Sequence, residues 1–205
     1  MRMHTNDVSR LHRIAIEKSV DLVSRVSRND LTRPTPCTDW NLADLLAHMT
    51  AQHRGFAAAA RGHGADHAVW DPAAVADAVR HDPAGVYAAA AGDVLEAFAV
   101  DGVMDRAFAL PEFGPDVEVL GAQAIGFHFV DYVVHGWDVA RSMGLPFDIP
   151  AEVVDGVAPI ALAVPDGDIR TAPGSPFAPA VDPTGDGVLL DRVLRHLGRS
   201  PEWTP

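Results

Sequence analysis

One stretch limits the folds open to this chain. Between Gly126 and Gly144 the sequence GFHFVDYVVHGWDVARSMG places Phe127, Phe129, Val130, Val133, Val134 and Trp137 around most of a helical wheel. A helix apolar on nearly every side belongs in the interior of a helical protein. Within it His128, Asp131 and His135 stand at i, i+3 and i+7, which keeps them inside an arc of about 60°. A buried helix therefore carries two imidazoles and a carboxylate on one face, and a carboxylate removed from water needs a cation or hydrogen-bond donors. Two readings stand side by side. A divalent metal supplies the cation, or Asp and His satisfy one another as i, i+4 pairs do without any metal. The metal reading requires a ligand from elsewhere, because an Asp-x-x-x-His pair does not close a site.

Composition narrows where that ligand can come from. Cys37 is the single cysteine of 205 residues, so an internal disulfide and a cysteine-based zinc cluster are excluded, and any metal is held by His, Asp or Glu. The length suits one domain with a sizeable core. A formal net charge of -12 without a basic cluster argues against nucleic acid and anionic membrane surfaces as partners. No segment approaches the roughly 20 apolar residues of a membrane span, and the charged start MRMHTNDVSRLHR leads into no apolar signal region, so a cytoplasmic protein is expected.

Apolar periodicity supplies the rest of the architecture. Val8, Leu11, Ile14, Ala15, Val20, Leu22, Val23 and Val26 predict a first amphipathic helix over about 6–28. Pro34 and Pro36 then enforce a loop. Asn41 and Asp44 are a capping pair that opens a second helix running to about Arg61, with Leu42, Leu45, Leu46, Met49, His53 and Phe56 on its buried stripe and His48 at the edge. Asp71-Pro72 and Asp82-Pro83 each place an N-cap before proline, opening a short helix to about Arg80 and an alanine-rich one to about Val100. Residues 101–118 read as a linker with a brief β-ribbon and a possible lid. The principal helix follows from about Val119 to its C-terminal Gly144, then a helix over about 150–164. A Pro-, Gly- and Asp-rich segment over 165–186 is either an ordered wrap or a lid, and a short helix closes the chain at 189–199. This is a mainly α chain, a four-helix bundle over 1–164 with short extra helices, followed by a loop-rich extension over 165–205 whose terminal helix packs on the bundle. Without a P-loop or a Gly-rich dinucleotide motif, no nucleotide cofactor is indicated. Bundle interiors often carry metal sites built from facing helices, a place where His48 and the Asp131/His135 pair could meet.

TPCTDWNLADLLAHM, followed about eighty residues later by HFVDYVVHGWDVARSMG, resembles the actinobacterial relatives of mycothiol-dependent maleylpyruvate isomerase, within the DinB/YfiT-like superfamily of four-helix bundles. The closing FAPAVDPTGDGVLLDRVLRHLGRSPEWTP resembles the tail of one branch of that group. The resemblance implies a divalent metal, zinc or nickel, held by His48 of the second helix and by Asp131 and His135 of the later one. An aspartate stands where the isomerase has a glutamate, a shorter arm. The resemblance also implies mycothiol as a thiol cosubstrate whose sulfur adds to a small electrophile, giving isomerisation if it leaves again and an S-conjugate if it stays. Where the isomerase has a larger C-terminal domain, this chain has a short segment, in which Arg170, Arg192, Arg195 and Arg199 are available but unmatched.

His128 lies outside that three-ligand pattern and is a fourth ligand, a catalytic base beside the thiol, a donor to a ligand, or a core histidine. Asp138 is placed to orient His135 or to anchor a loop, and Cys37 is read as packing. The expected protein is a mycothiol-dependent S-transferase or isomerase, monomer or homodimer. A non-catalytic metal-binding or stress-related module is the alternative, and an iron(II) oxygenase triad is the weakest reading because that triad belongs mostly to β-barrels.

Overall fold

The structure, a computed structural model, describes residues 5–114, 116–171, 175–181 and 187–205. Seven α-helices and one short β-ribbon follow in the order α1 (Thr5–Val23), α2 (Leu42–Ala60), α3 (Ala73–His81), α4 (Pro83–Phe98), β1 (Ala107–Ala109), β2 (Glu118–Leu120), α5 (Gly121–Met143), α6 (Ala151–Ala161) and α7 (Leu189–His196). The four long helices close a ring in which α1 packs on α5, α5 on α2, α2 on α4 and α4 on α1. A four-helix bundle is thus the fold. Among the described residues no helix is long and apolar enough to cross a membrane.

Local chemistry sets the helix ends. Asn41 and Asp44 exchange bonds: the Asn41 side chain accepts from the Asp44 amide at 3.1 Å, and the Asp44 carboxylate accepts from the Asn41 amide at 3.2 Å. Asp82 caps α4 by accepting from the Gly85 amide at 2.9 Å, with Pro83 in the first helical position. Helix α5 stops where Gly144 turns left-handed at φ 66°, and the Leu145 amide reaches back to the Ala140 carbonyl at 2.8 Å. The last two helices end about three residues early, α6 at Ala161 and α7 at His196, and two further expected ends move. Helix α1 finishes at Val23 instead of near Arg28, since the Asp30 carboxylate takes both the amide and the hydroxyl of Ser27 and draws 28–30 into a separate 3-10 turn. Val119 belongs to β2, where it faces Phe108, and α5 begins two residues later at Gly121.

The core lies in three contiguous clusters. Ile16, Leu45, Met49 and Tyr132 fill the space between α1, α2 and α5. Phe56, Val94, Phe108 and Ile125 fill the end towards the ribbon. Phe129, Val133, Val157 and Val193 bring α6 and α7 onto α5, so the last helix shares a core with the bundle. Gly55 marks a tight approach in this packing, for a Cβ there would lie 2.2 Å from the indole of Trp70, whose Nε1 donates to the Gly64 carbonyl at 2.8 Å. Gly55→Ala is expected to destabilise the protein by about 1–3 kcal/mol through overpacking, although alanine is the better helix former. Urea denaturation checks this, and a stabilised variant would contradict it.

Candidate metal centre

Adjacent α2 and α5 bring together three residues far apart in sequence. His48 projects from α2 opposite Asp131 and His135, which are one turn apart on α5, and one ligand atom from each lies within 4.8 Å of the others. His135 Nε2 stands 3.3 Å from Asp131 Oδ1, and the His48 and His135 rings meet edge to face with centroids 5.2 Å apart. Asp131 Oδ2 is buried and, among the described residues, has no hydrogen-bond partner. An orphaned carboxylate oxygen between two imidazoles is a donor set fitted to a divalent cation.

The far side of His135 is fully engaged. Its Nδ1 lies 2.9 Å from Asp138 Oδ2, and Asp138, wholly buried, is gripped by Arg199 through Nε at 3.3 Å and Nη2 at 3.1 Å. Cys37 Sγ donates to Asp138 Oδ2 and accepts from Arg199 Nη2, each at 3.2 Å. Cys37, His135 and Asp138 are also close enough to hold an ion, but the Arg199 guanidinium already supplies the cation there. This cluster orients the imidazole so that Nε2 faces His48 and Asp131. Asp138 does both things its position suggested, for it orients His135 and ties down the chain end through Arg199. Cys37 packs against the core, and a basic partner 162 residues away touches its sulfur, which local sequence did not disclose.

The charges follow this arrangement. Burial alone would push His135 down, but Asp131, Asp138 and Cys37 outweigh it and hold its imidazole well above the usual range. Burial, helped by the charge of His135, pushes His48 down to about 4. Burial would raise both carboxyls, yet His135 in one case and Arg199 in the other hold Asp131 below its ordinary value and Asp138 down to about 2.

His128 faces elsewhere. Its Nδ1 lies 2.8 Å from His12 Nε2 and its Nε2 lies 3.3 Å from His53 Nδ1, all three rings being buried. It stacks on Tyr132 with centroids 4.2 Å apart. The helical wheel put His128 on the same face as His135, but seven residues at 1.5 Å each separate them by about 10 Å along the axis. Sharing a face is not sharing a site. Burial pushes His12 down to about 3 and His53 and His128 well below the usual range, so the three rings are neutral. The sequence signal for His12 was its place on the apolar face of α1, one turn before Ile16.

A cavity of about 1030 Å³ opens over the three residues. Trp40 and Gln52 flank it on one side, Glu112, Phe113 and Phe127 on another, and Val164 and Phe177 from the C-terminal segment complete it. Glu112 sits on the short turn 111–113 between β1 and β2, its carboxylate accepting from Gln52 Nε2 at 3.4 Å. The enclosing walls and then the charge of Asp131 push its carboxyl up to about 7. Of the C-terminal arginines, Arg170 is buried, with Nε donating to the Pro165 carbonyl at 2.7 Å and Nη2 to the Val164 carbonyl at 3.0 Å, while Nη1 reaches the carbonyls of Ala178 and His196. Arg195 pairs with Glu202. The segment 165–186, expected to be a wrap or a lid, contributes these described contacts, and 172–174 and 182–186 lie outside the described residues.

Residues 12–140 match the family model of the mycothiol maleylpyruvate isomerase N-terminal domain, and the chain belongs to that family. Two curated relatives, both from Mycobacterium tuberculosis and both called uncharacterized (Rv0738 of strain H37Rv and MT0763 of strain CDC 1551), are 28% identical over 190 residues, covering 92% of this chain and 96% of theirs. The fold is similar to the crystal structure of the mycothiol-dependent maleylpyruvate isomerase, with a TM-score of 0.58 at 14% identity, covering 78% of this chain and 70% of that one. A histidine-to-alanine mutant of that enzyme matches over the same shares with a TM-score of 0.59 at 13% identity.

Arg199→Met is expected to cost about 3–5 kcal/mol, because it strands the Asp138 carboxylate in the interior. The double variant with Asp138→Asn should recover much of the loss. Urea unfolding of the three proteins measures it, and equal stability of wild type and Arg199→Met would contradict the role given to the pair.

Proposed function

We propose that this protein binds one divalent metal, zinc or nickel, through His48, Asp131 and His135, and acts as a mycothiol-dependent S-transferase or isomerase on a small electrophile. The observation that carries the reading is the unpartnered Asp131 oxygen, buried between two imidazoles at the floor of a large cavity. Three protein ligands leave a coordination position open, as catalytic sites do. Bound there, the metal would lower the pKa of a coordinated thiol and present its sulfur as a nucleophile.

The chain's own residues prepare that chemistry. Asp138 and Arg199 fix the His135 ring from behind, so Nε2 stays aimed at the site. Burial keeps His48 neutral and its lone pair available. Apolar side chains such as Phe127, Val130 and Phe177 wall the cavity around the site of the reacting sulfur. In the addition an S–C bond forms as a π bond or a strained ring bond breaks, and the thiol's proton ends on the atom left with the electron pair. No oxidant or reductant is needed. Family membership supports the thiol, and the cavity favours turnover over the alternative of a non-catalytic metal-binding module, since a closed structural site needs no such volume.

Two measurements test the centre. His48→Ala and His135→Ala are expected to lose the metal, with Cys37→Ser retaining about one equivalent, by elemental analysis of untagged protein; equal content in all variants would remove the assignment. Metal binding should also release protons. In the metal-free protein His135 is held protonated by its carboxylate neighbours, and ligation requires the neutral ring. Affinity should therefore rise about tenfold per pH unit around neutrality, flattening only above the raised pKa of His135. Calorimetry in buffers of different ionisation enthalpy counts the protons, and a pH-independent affinity would contradict the ligand role of His135.

A further inference from the structure

The charges facing the cavity bear on what the electrophile can be. Besides the Cys37 thiol, which is tied to Asp138 and Arg199, six ionisable side chains line it: His48, Asp131, His135, Glu112, Arg170 and Arg199. The first three form the candidate centre. Arg170 has every nitrogen committed, to the carbonyls of Val164, Pro165, Ala178 and His196. Arg199 spends Nε and Nη2 on Asp138 and Cys37 and Nη1 on the Leu197 carbonyl at 3.2 Å. Both guanidiniums are buried, at 5% and 6% exposure, so neither turns the two-pronged edge that receives a carboxylate towards the cavity. A divalent cation with the Asp131 carboxylate and a thiolate sums to no net charge. Glu112 remains, an acid held only by the Gln52 amide at 3.4 Å. The rest of the wall is largely apolar, with Phe113, Phe127, Val130, Ile160 and Phe177 among its residues.

We propose that the electrophile this cavity accepts is uncharged and apolar, and that Glu112 is the specificity-determining residue that disfavours carboxylated ones. The proposal rests on the thiol-addition reading above and names its substrate class. A carboxylated electrophile would leave water for a wall whose described residues offer no free cation and, above the raised pKa of Glu112, one like charge, a penalty without a compensating contact. An uncharged aryl or alkyl electrophile would be covered by the phenylalanines. The volume, at the upper end for small-molecule sites, has room for it beside the thiol's sugar groups.

The test uses the zinc-loaded protein and three probes: S-methyl mycothiol and the S-benzyl and S-(4-carboxybenzyl) conjugates, the last two differing from each other by one carboxylate. Calorimetry above the raised pKa of Glu112, at about pH 8, should find the benzyl conjugate binding about tenfold more tightly than the carboxybenzyl one, and Glu112→Gln should narrow that ratio to about threefold while zinc content is unchanged. Equal or tighter binding of the carboxybenzyl conjugate to the wild type would overturn the proposal, as would a ratio that Glu112→Gln leaves unmoved. If S-methyl mycothiol binds in either case, the thiol reading survives that failure. If no probe binds although zinc is retained, both fall and only the metal assignment stands.

Discussion

Two carboxylates on the inner face of α5 have to be accommodated out of water, and the organisation of this protein follows from how each is met. Asp138 is offset by a guanidinium, and Asp131 is met by the imidazole of His135, with one oxygen left unpaired among the described residues. Between them His135 is held by one acid on each ring nitrogen, so its orientation is fixed from both sides. Burying a charge is costly unless it is paired and hydrogen-bonded. The asymmetry between the two acids therefore separates a closed, structural end of the cluster from an open, reactive one.

Much of this was legible in the sequence because it rests on local rules. Helical periodicity predicted the bundle, the Asn41/Asp44 and Asp82-Pro83 signals predicted the starts of α2 and α4, and Gly144 predicted the end of α5. The juxtaposition of His48 with Asp131 and His135 followed from the family resemblance together with the expectation that facing helices share a core. What sequence did not disclose is non-local. Nothing near Cys37 announces Arg199, and a helical wheel, which discards the rise along the axis, could not separate His128 from His135. The Ser27–Asp30 turn that shortens α1 shows the opposite case, where a side-chain bond between neighbours outweighed an apolar pattern continuing through Val26, which is still buried.

The interior histidines illustrate how one residue type serves two environments. Against the carboxylates of α5, His135 is stabilised in its charged form. About two helical turns away, His12, His128 and His53 bond mainly to one another and lie against Tyr132, Phe98 and Phe56. There burial dominates and the rings are neutral, so they behave as polar members of the core, satisfied in a chain that ends at the unpartnered Nε2 of His53. Environment, rather than residue identity, divides the titratable groups of this bundle into those that carry charge and those that fill space.

The contact between Arg199 and Asp138 spans 61 residues of sequence. During synthesis every helix of the bundle emerges before Arg199 does, so the chain can gather its core while the inner acid of α5 still lacks a counter-ion. The order of assembly is thereby built into the order of the letters: a hydrophobic framework first, and the setting of His135 only when Arg199 arrives.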